Sequence, residues 1–371
     1  MAFATTIVFY LIFLIFPFGQ LLRINLFGTE FPIIDIFIVL FSFFNIITQI
    51  KNDNLKPKNK YLLMFIPIAL ASLLINLYFH HLPLLKSFFY FTRLISFLLL
   101  IIFPPTYIPH KNLQKYLIIS LFSCVIFGLI QYFFWPDLTY FNSQNWDPHL
   151  NRLVGSFLDP TFTALIYLLF LIFIFFNYPK SHIKNILISL TYFALALTYS
   201  RSTYLALFII SFFVSSKLRR PNLFIFTTIL LILTITFLPK PYGEGTKLDR
   251  TSSIYAKVQN YKQAFNTIKQ SPVIGLGYNT LPHFKDTPTN HSNSGFDNSF
   301  LTIFATTGIL GFILFTKGFF YLYRQSSIFI QTILLATTIH SFFANSFLYV
   351  WILFLLISFL IYFQSTKDHK L

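Results

Sequence analysis

The amino-acid sequence predicts an all-α fold: a polytopic integral-membrane helical bundle of about twelve transmembrane helices, with one long outer loop that contains an amphipathic helix. Three observations lead there. The chain is 56% hydrophobic and only 10% charged, with a mean hydropathy of +0.68. That is more apolar surface than a soluble chain of 371 residues can hide in a core. Unbroken apolar runs close to the ~20 residues of a bilayer crossing recur from end to end. Between them, basic loops alternate with loops poor in cations.

The runs lie at about 4–22, 31–50, 61–79, 84–103, 116–135, 154–176, 185–199, 202–216, 222–238, 298–322, 328–345 and 347–363. Each is read as a helix, because backbone facing lipid must satisfy its own hydrogen bonds. Their continuous, non-alternating character excludes a β-barrel. The first run, ATTIVFYLIFLIFPFGQLL, has no basic n-region and no small-residue cleavage site, so it reads as a retained span. The single cysteine, Cys124, falls within a span and excludes an intramolecular disulfide and a cysteine-based metal site. Residues 1–371 read as one polytopic domain.

The loops at 51–60, 104–115, 177–184, 217–220 and 323–327, with the tail 364–371, carry 4, 2, 2, 3, 1 and 2 Lys or Arg. With twelve spans all six fall on one face, which the positive-inside rule makes cytoplasmic, together with both termini. The formal charge of +16 therefore reports orientation, and no nucleic-acid partner is needed to explain it.

Residues 185–216 raise a separate question, because Arg201 interrupts an apolar run of that length. A cation at the bilayer centre costs at least ~2.5–3.5 kcal/mol. Basic clusters flank the run on both sides, so both of its ends face the cytoplasm. A helical hairpin satisfies this, with Thr198, Tyr199, Ser200, Arg201 and Ser202 at its outer tip. One long tilted helix with a snorkelling arginine is the simpler alternative.

The other reactive groups gather on the same outer face. The loop 136–153 holds Asp137, Asp147, His149 and Arg152. The long loop 239–297 holds Arg250, Lys257, Lys262, His283, Asp286, His291 and Asp297. There is no P-loop and no HExxH, and Gly275-Leu276-Gly277 is too short for a dinucleotide fingerprint; it reads as a turn after a helix. That helix is TSSIYAKVQNYKQAFNTIKQSP. Its stripe Ile254, Val258, Tyr261, Phe265 and Ile268 has helical spacing, with Lys257 on one flank and Lys262 and Lys269 on the other. It suits either the outer membrane surface or packing over the bundle. In the fourth run Lys86 and Arg93 share a face; Lys86 can snorkel, whereas Arg93 is deep and requires a partner or a polar cavity.

Arginine and lysine converging at the outer leaflet suit an anionic substrate, because guanidinium forks match phosphate oxygens. A lipid-linked pyrophosphate fits, with its tail in the bilayer and its diphosphate as a leaving group stabilised by fixed cations. An acceptor hydroxyl would require a general base, which His or Asp supplies.

RLVGSFLDPTFTA (152–164), LTYSRSTYLAL (197–207), SPVIGLGYNT (271–280) and DNSFLTIFATTGILGFILF (297–315) resemble the O-antigen ligase and polymerase superfamily. The core of the match is residues 185–315. The resemblance implies a membrane glycosyltransferase that takes glycan from a polyprenyl-diphosphate carrier and passes it to a glycan or lipid-glycan acceptor, with membrane lipids as further partners. It implies no nucleotide sugar, no metal and no other cofactor. On this pattern Arg201 binds pyrophosphate, and Arg152 matches the arginine preceding R-x-x-G-x-F. Lys257 stands where relatives often carry an arginine on the loop helix, with Arg250 upstream; Arg93 is a further candidate for pyrophosphate. Ligases often show H-N-x-x-L where this chain has Asp297 in DNSFL, with His291 six residues earlier, and this favours a polymerase. The base is left between the two: Asp297 has the motif register, but His291, with an intrinsic pKa of ~6.5, is the better proton acceptor and is taken as the base, with Asp297 orienting the substrate; Asp297, His149 or Asp159 are the other choices, and the simplest reading makes Asp297 or Asn298 only a helix cap. The competing class is a transporter or flippase for a lipid-linked or anionic solute, which would need a charged midplane path and broken helices in repeated halves.

Overall fold

The computed structural model describes residues 2–368 except 27, 54, 83, 106–107, 145 and 286–294. The chain is a polytopic helical membrane protein. Its helices are α1 (Ala2–Ile15), α2 (Ile33–Lys51), α3 (Lys60–Phe79), α4 (Leu84–Ile102), α5 (His110–Phe134), α6 (Pro160–Asn177), α7 (His182–Ala196), α8 (Arg201–Leu218), α9 (Pro221–Phe237), α10 (Ser252–Gln270), α11 (Ser299–Arg324), α12 (Ile328–Ser341) and α13 (Val350–Asp368). One short antiparallel hairpin, Arg23–Leu26 with Thr29–Pro32, joins α1 to α2. Each of the twelve apolar runs contains one helix, and α10 is the amphipathic loop helix. Among the described residues seven spans are long and apolar enough to cross a membrane by themselves; α9, α12 and α13 are apolar but shorter.

Helix starts follow local chemistry. The side chains of Asn59, Asp159, Ser181, Asn298 and Ser327 accept hydrogen bonds from first-turn amides of α3, α6, α7, α11 and α12, which satisfies donors that a helix leaves open. Asn298, not Asp297, is the cap of α11, so the Asp297 carboxylate is left for other work. The centre of the bundle is α6 and α13, buried on nearly every side. Phe16, Phe157, Trp351 and Phe354 interlock there edge to face and tilted, as aromatic quadrupoles prefer. Phe-rich outer faces, such as that of α9, are exposed and suit lipid.

The residues 185–216 are two helices, not one. The break at 197–200 puts Tyr199 in the left-handed region (φ 53°), and its hydroxyl donates to the Pro239 carbonyl at 2.6 Å. The tip is thereby tied to the start of the long loop.

A second break lies inside α11, at Gly308 (φ 65°, ψ −172°). The turn after α10 fills it. The amides of Leu276 and Gly277 donate to the carbonyls of Ala305 and Thr306 at 2.8 and 2.9 Å, and the Ile309 amide donates to the Pro272 carbonyl at 3.0 Å. From α3, Ser72 donates to Thr306 and Asn76 to Gly275, at 2.8 and 2.9 Å. A side chain at Gly275 or Gly308 would place its Cβ 2.5 or 2.0 Å from facing backbone. The glycine turn therefore does more than follow a helix; it completes one.

Arg93 has the partner that its depth requires. Its Nη1 lies 3.1 Å from Oδ2 of Asp35, in the first turn of α2, and its guanidinium stacks over Tyr90 at 4.5 Å. Tyr278, from the glycine turn, acts electrostatically on the same group.

Candidate active site

Three arginines meet where the loops 135–159 and 239–251 cover the tip between α7 and α8. Gln131, near the end of α5, accepts hydrogen bonds from the amides of Val154 and Gly155 and so fixes the segment that follows Arg152. Arg152 is 8% exposed and donates from Nε to the Thr198 carbonyl at 3.0 Å. Gly245 lies flat on its stem, where a Cβ would come 2.5 Å from Cδ. Arg201, the first residue of α8, donates to the carbonyls of Leu248 and Arg250 at 3.2 and 2.9 Å and to Ser253 Oγ at 2.5 Å. Arg250 donates to the carbonyls of Gly245 and Lys247.

None of these three guanidinium groups has a carboxylate in ion-pair range: among the described residues the ion pairs are Arg23–Glu30, Arg93–Asp35 and Lys257–Asp297. Burial, then the charge of Arg250 and also that of Arg201, pulls Arg152 below its ordinary range, against the opposing pull of Asp159. Burial and then Arg201 do the same to Arg250. Fixed like charges that depress one another form a site an anion would relieve. The helix starts add to this. Neither α8 nor α10 has a side-chain cap, so first-turn amides and the positive ends of two helix dipoles face the same region.

One turn along α10 the character changes. Lys257 Nζ lies 3.3 Å from Asp297 Oδ2 and donates to the Phe343 carbonyl at 2.5 Å. The Asp297 amide donates to Asn260 Oδ1 at 2.8 Å, and Tyr261 donates to the Phe342 carbonyl. Asp147 is within electrostatic reach of both Asp297 and Asp159. Asp159 caps α6 through one oxygen, Oδ1, which accepts from Thr161 and Phe162.

Two imidazoles stand in the field of Asp159. His149 has a buried Nε2 without a partner; burial, with Arg152 adding to it and Asp159 opposing, lowers its pKa to about 4. His340, at the end of α12, is fully buried. Its Nδ1 lies 2.7 Å from Ser346 Oγ, its Nε2 has no partner, and its ring is 6.4 Å from that of Phe162. Asp159 and Lys257 both act on it.

The structure thus brings Arg152, Arg201 and Arg250 together, sets Lys257 beside them but on Asp297, and leaves Arg93 with Asp35. His291 and Asp286 lie outside the described residues. Sequence reasoning missed His340, although an ionisable residue in an apolar helix is a functional candidate by default. It also missed Asp35, whose partner is 58 residues away.

Residues 185–316 match the model of a family described as O-antigen ligase. Over these residues the chain is similar to the O-antigen ligase family. No curated protein sequence matches the chain. The matched segment supplies Arg201, Arg250, Lys257 and Asp297, along with both parts of the glycine junction. Arg152, Asp159, His149 and His340 reach the same site from outside it. The likeness supports an O-antigen ligase-like membrane enzyme, and the candidate site draws residues from outside the matched segment as well as from inside it.

Proposed function

We propose that the protein is a membrane glycosyltransferase that transfers or polymerises glycan from a polyprenyl-diphosphate carrier, at the outer face of the cytoplasmic membrane. The observation that carries this is the cluster Arg152, Arg201 and Arg250, three guanidinium groups without a carboxylate partner among the described residues, beside two uncapped helix starts. Such a site favours a group with several anionic oxygens, and a diphosphate supplies them. Because the cluster is anchored by backbone carbonyls, its charges are in place before the leaving group develops its own.

The reaction then runs as a displacement. The acceptor hydroxyl oxygen attacks the anomeric carbon, the bond from that carbon to the diphosphate oxygen breaks, and its electron pair leaves with the diphosphate toward the arginines. The hydroxyl proton passes to His291, while Asp297, held by Lys257 and Asn260, orients the acceptor. The unpartnered Nε2 of His340 favours a second assignment, in which His340 takes the proton. Asp297 in place of the histidine often found in ligases favours the polymerase reading. The single-sided distribution of basic loops supports cytoplasmic termini and an outer site. A transporter would expose polar groups at a helix break, whereas the α11 break is met by the chain's own turn.

The test uses purified protein in detergent, supplied with a polyprenyl-diphosphate-linked glycan and a sugar acceptor. Elongated product with release of polyprenyl diphosphate supports the reading; carrier movement across vesicles without transfer refutes it. For topology, a cysteine at Ser202 in a Cys124→Ser background should react with a membrane-impermeant thiol reagent from outside, and one at Ser216 should not.

A further inference from the structure

Helix α10 meets the protein largely with its polar face. Ser253, Lys257, Asn260, Ala264 and Thr267, spaced 4, 3, 4 and 3, point inward and are buried or half-buried. Of the apolar stripe, Tyr261 is half-buried and Ile268 is buried in a small cluster with Ala264 and Leu276, but the other three residues remain outside: Ile254 is 52% exposed, Val258 46% and Phe265 54%. At about 100° per residue these three share an arc of roughly 100° with Tyr255, Lys262 and Lys269. Gln259 and Asn266, also exposed, lie beyond that arc on the water side.

The placement of α10 gives this face a neighbour. Its inward residues touch the start of α8 through Arg201–Ser253, the start of α11 through Lys257–Asp297, and the turn after α12 through Lys257–Phe343. A helix that crosses the ends of three others lies along the surface of the bundle. At its C-terminal end exposed Val273 and Ile274 lead onto exposed Ile309 and Leu310 of α11, joined at the Gly308 junction. The exposed apolar residues therefore resume beyond Lys269 and Gln270 and continue onto the side of a membrane-spanning helix.

We infer that α10 is a membrane-surface helix: Ile254, Val258 and Phe265 seat in the leaflet that the site faces, and Lys262 and Lys269 engage acidic phospholipid headgroups. An apolar stripe bordered by lysines is the composition that holds a helix in the interface plane. The inference does not depend on which reaction the site performs.

Spin labels on single cysteines test it, in the full chain with Cys124→Ser, reconstituted into phosphatidylcholine vesicles with or without phosphatidylglycerol. Labels at Val258 and Phe265 should be shielded from a water-soluble nickel chelate and open to oxygen, with an accessibility ratio roughly fivefold above that of labels at Gln259 and Asn266. The double variant Lys262→Gln/Lys269→Gln should reduce this difference in vesicles containing phosphatidylglycerol and leave it unchanged without that lipid. Equal exposure of all four labels to the chelate would overturn the inference by putting the face in water. Shielding of Val258 and Phe265 from both reagents would overturn it by putting protein there, such as a second copy. Insensitivity to acidic lipid and to the lysines would overturn the headgroup assignment.

Discussion

Arg201 Nη2 donates to Ser253 Oγ at 2.5 Å, so the first residue of α8 holds the first turn of α10. The same side chain is thus the proposed diphosphate ligand and a clamp on the long loop.

Arg201→Ala should lower transfer by at least about 100-fold, the scale of losing a fixed electrostatic donor. Membrane accumulation should stay near normal, because the carbonyls it leaves lie at a half-open surface. Arg201→Lys should recover little, since one ammonium cannot replace the fork. Turnover and membrane abundance, measured on the same preparations, check both points; full activity in the alanine variant removes the centre of the proposal.

The proton acceptor is separable by rate against pH. His291→Gln should abolish the chemical step while donor binding persists, and Asp297→Asn should weaken acceptor use more than donor use. If His291→Gln turns over normally and His340→Gln does not, the base is His340.

His149 should make the fold acid-sensitive. Its folded pKa of about 4 lies below the ~6.5 of a free imidazole. Between those values the unfolded chain binds the proton more readily, so stability falls as pH drops from about 6.5 toward 4 and is flat above. His149→Gln should shrink the fall in melting temperature over that window.

Gly308→Ala should cut the yield of folded protein severely, because a Cβ there meets the Val273 carbonyl oxygen at 2.0 Å and the backbone is left-handed. Gly28 also has positive φ but open space around it. Gly28→Ala should cost only the backbone term, about 1 kcal/mol.

Arg93→Ala or Asp35→Leu alone should destabilise by about 3–5 kcal/mol, because each leaves a buried charge without its partner. The double variant Arg93→Met/Asp35→Leu should recover most of that, with transfer per folded molecule retained. Loss of transfer in a well-folded double variant would return Arg93 to the substrate site.

What could be read from the chain divides along physical lines. Apolar length, capping residues such as Asn298, and the basic flanks of 185–216 are local signals, and they predict the helices and the Arg201 break. The Arg93–Asp35 pair is not local; no spacing rule joins α4 to α2. The Gly308 break was hidden because Gly308 and Gly311, three residues apart, also suit one face of an unbroken helix. For α10 the stripe was legible but its partner was not, since the face that meets the protein is largely the polar one and only Tyr261 and Ile268 of the stripe turn inward. Arg152, Arg201 and Arg250 were all visible as cations; that they converge without a carboxylate is a property of the fold alone.

The junction at Gly308 also sets an order of assembly. The span α11 has no unbroken ladder of its own, and its halves join through amides of Leu276 and Gly277. Those residues emerge from the ribosome before α11 does, so the turn already exists when the helix arrives to close around it. Each finished copy of α11 is therefore a record that the long loop was delivered first.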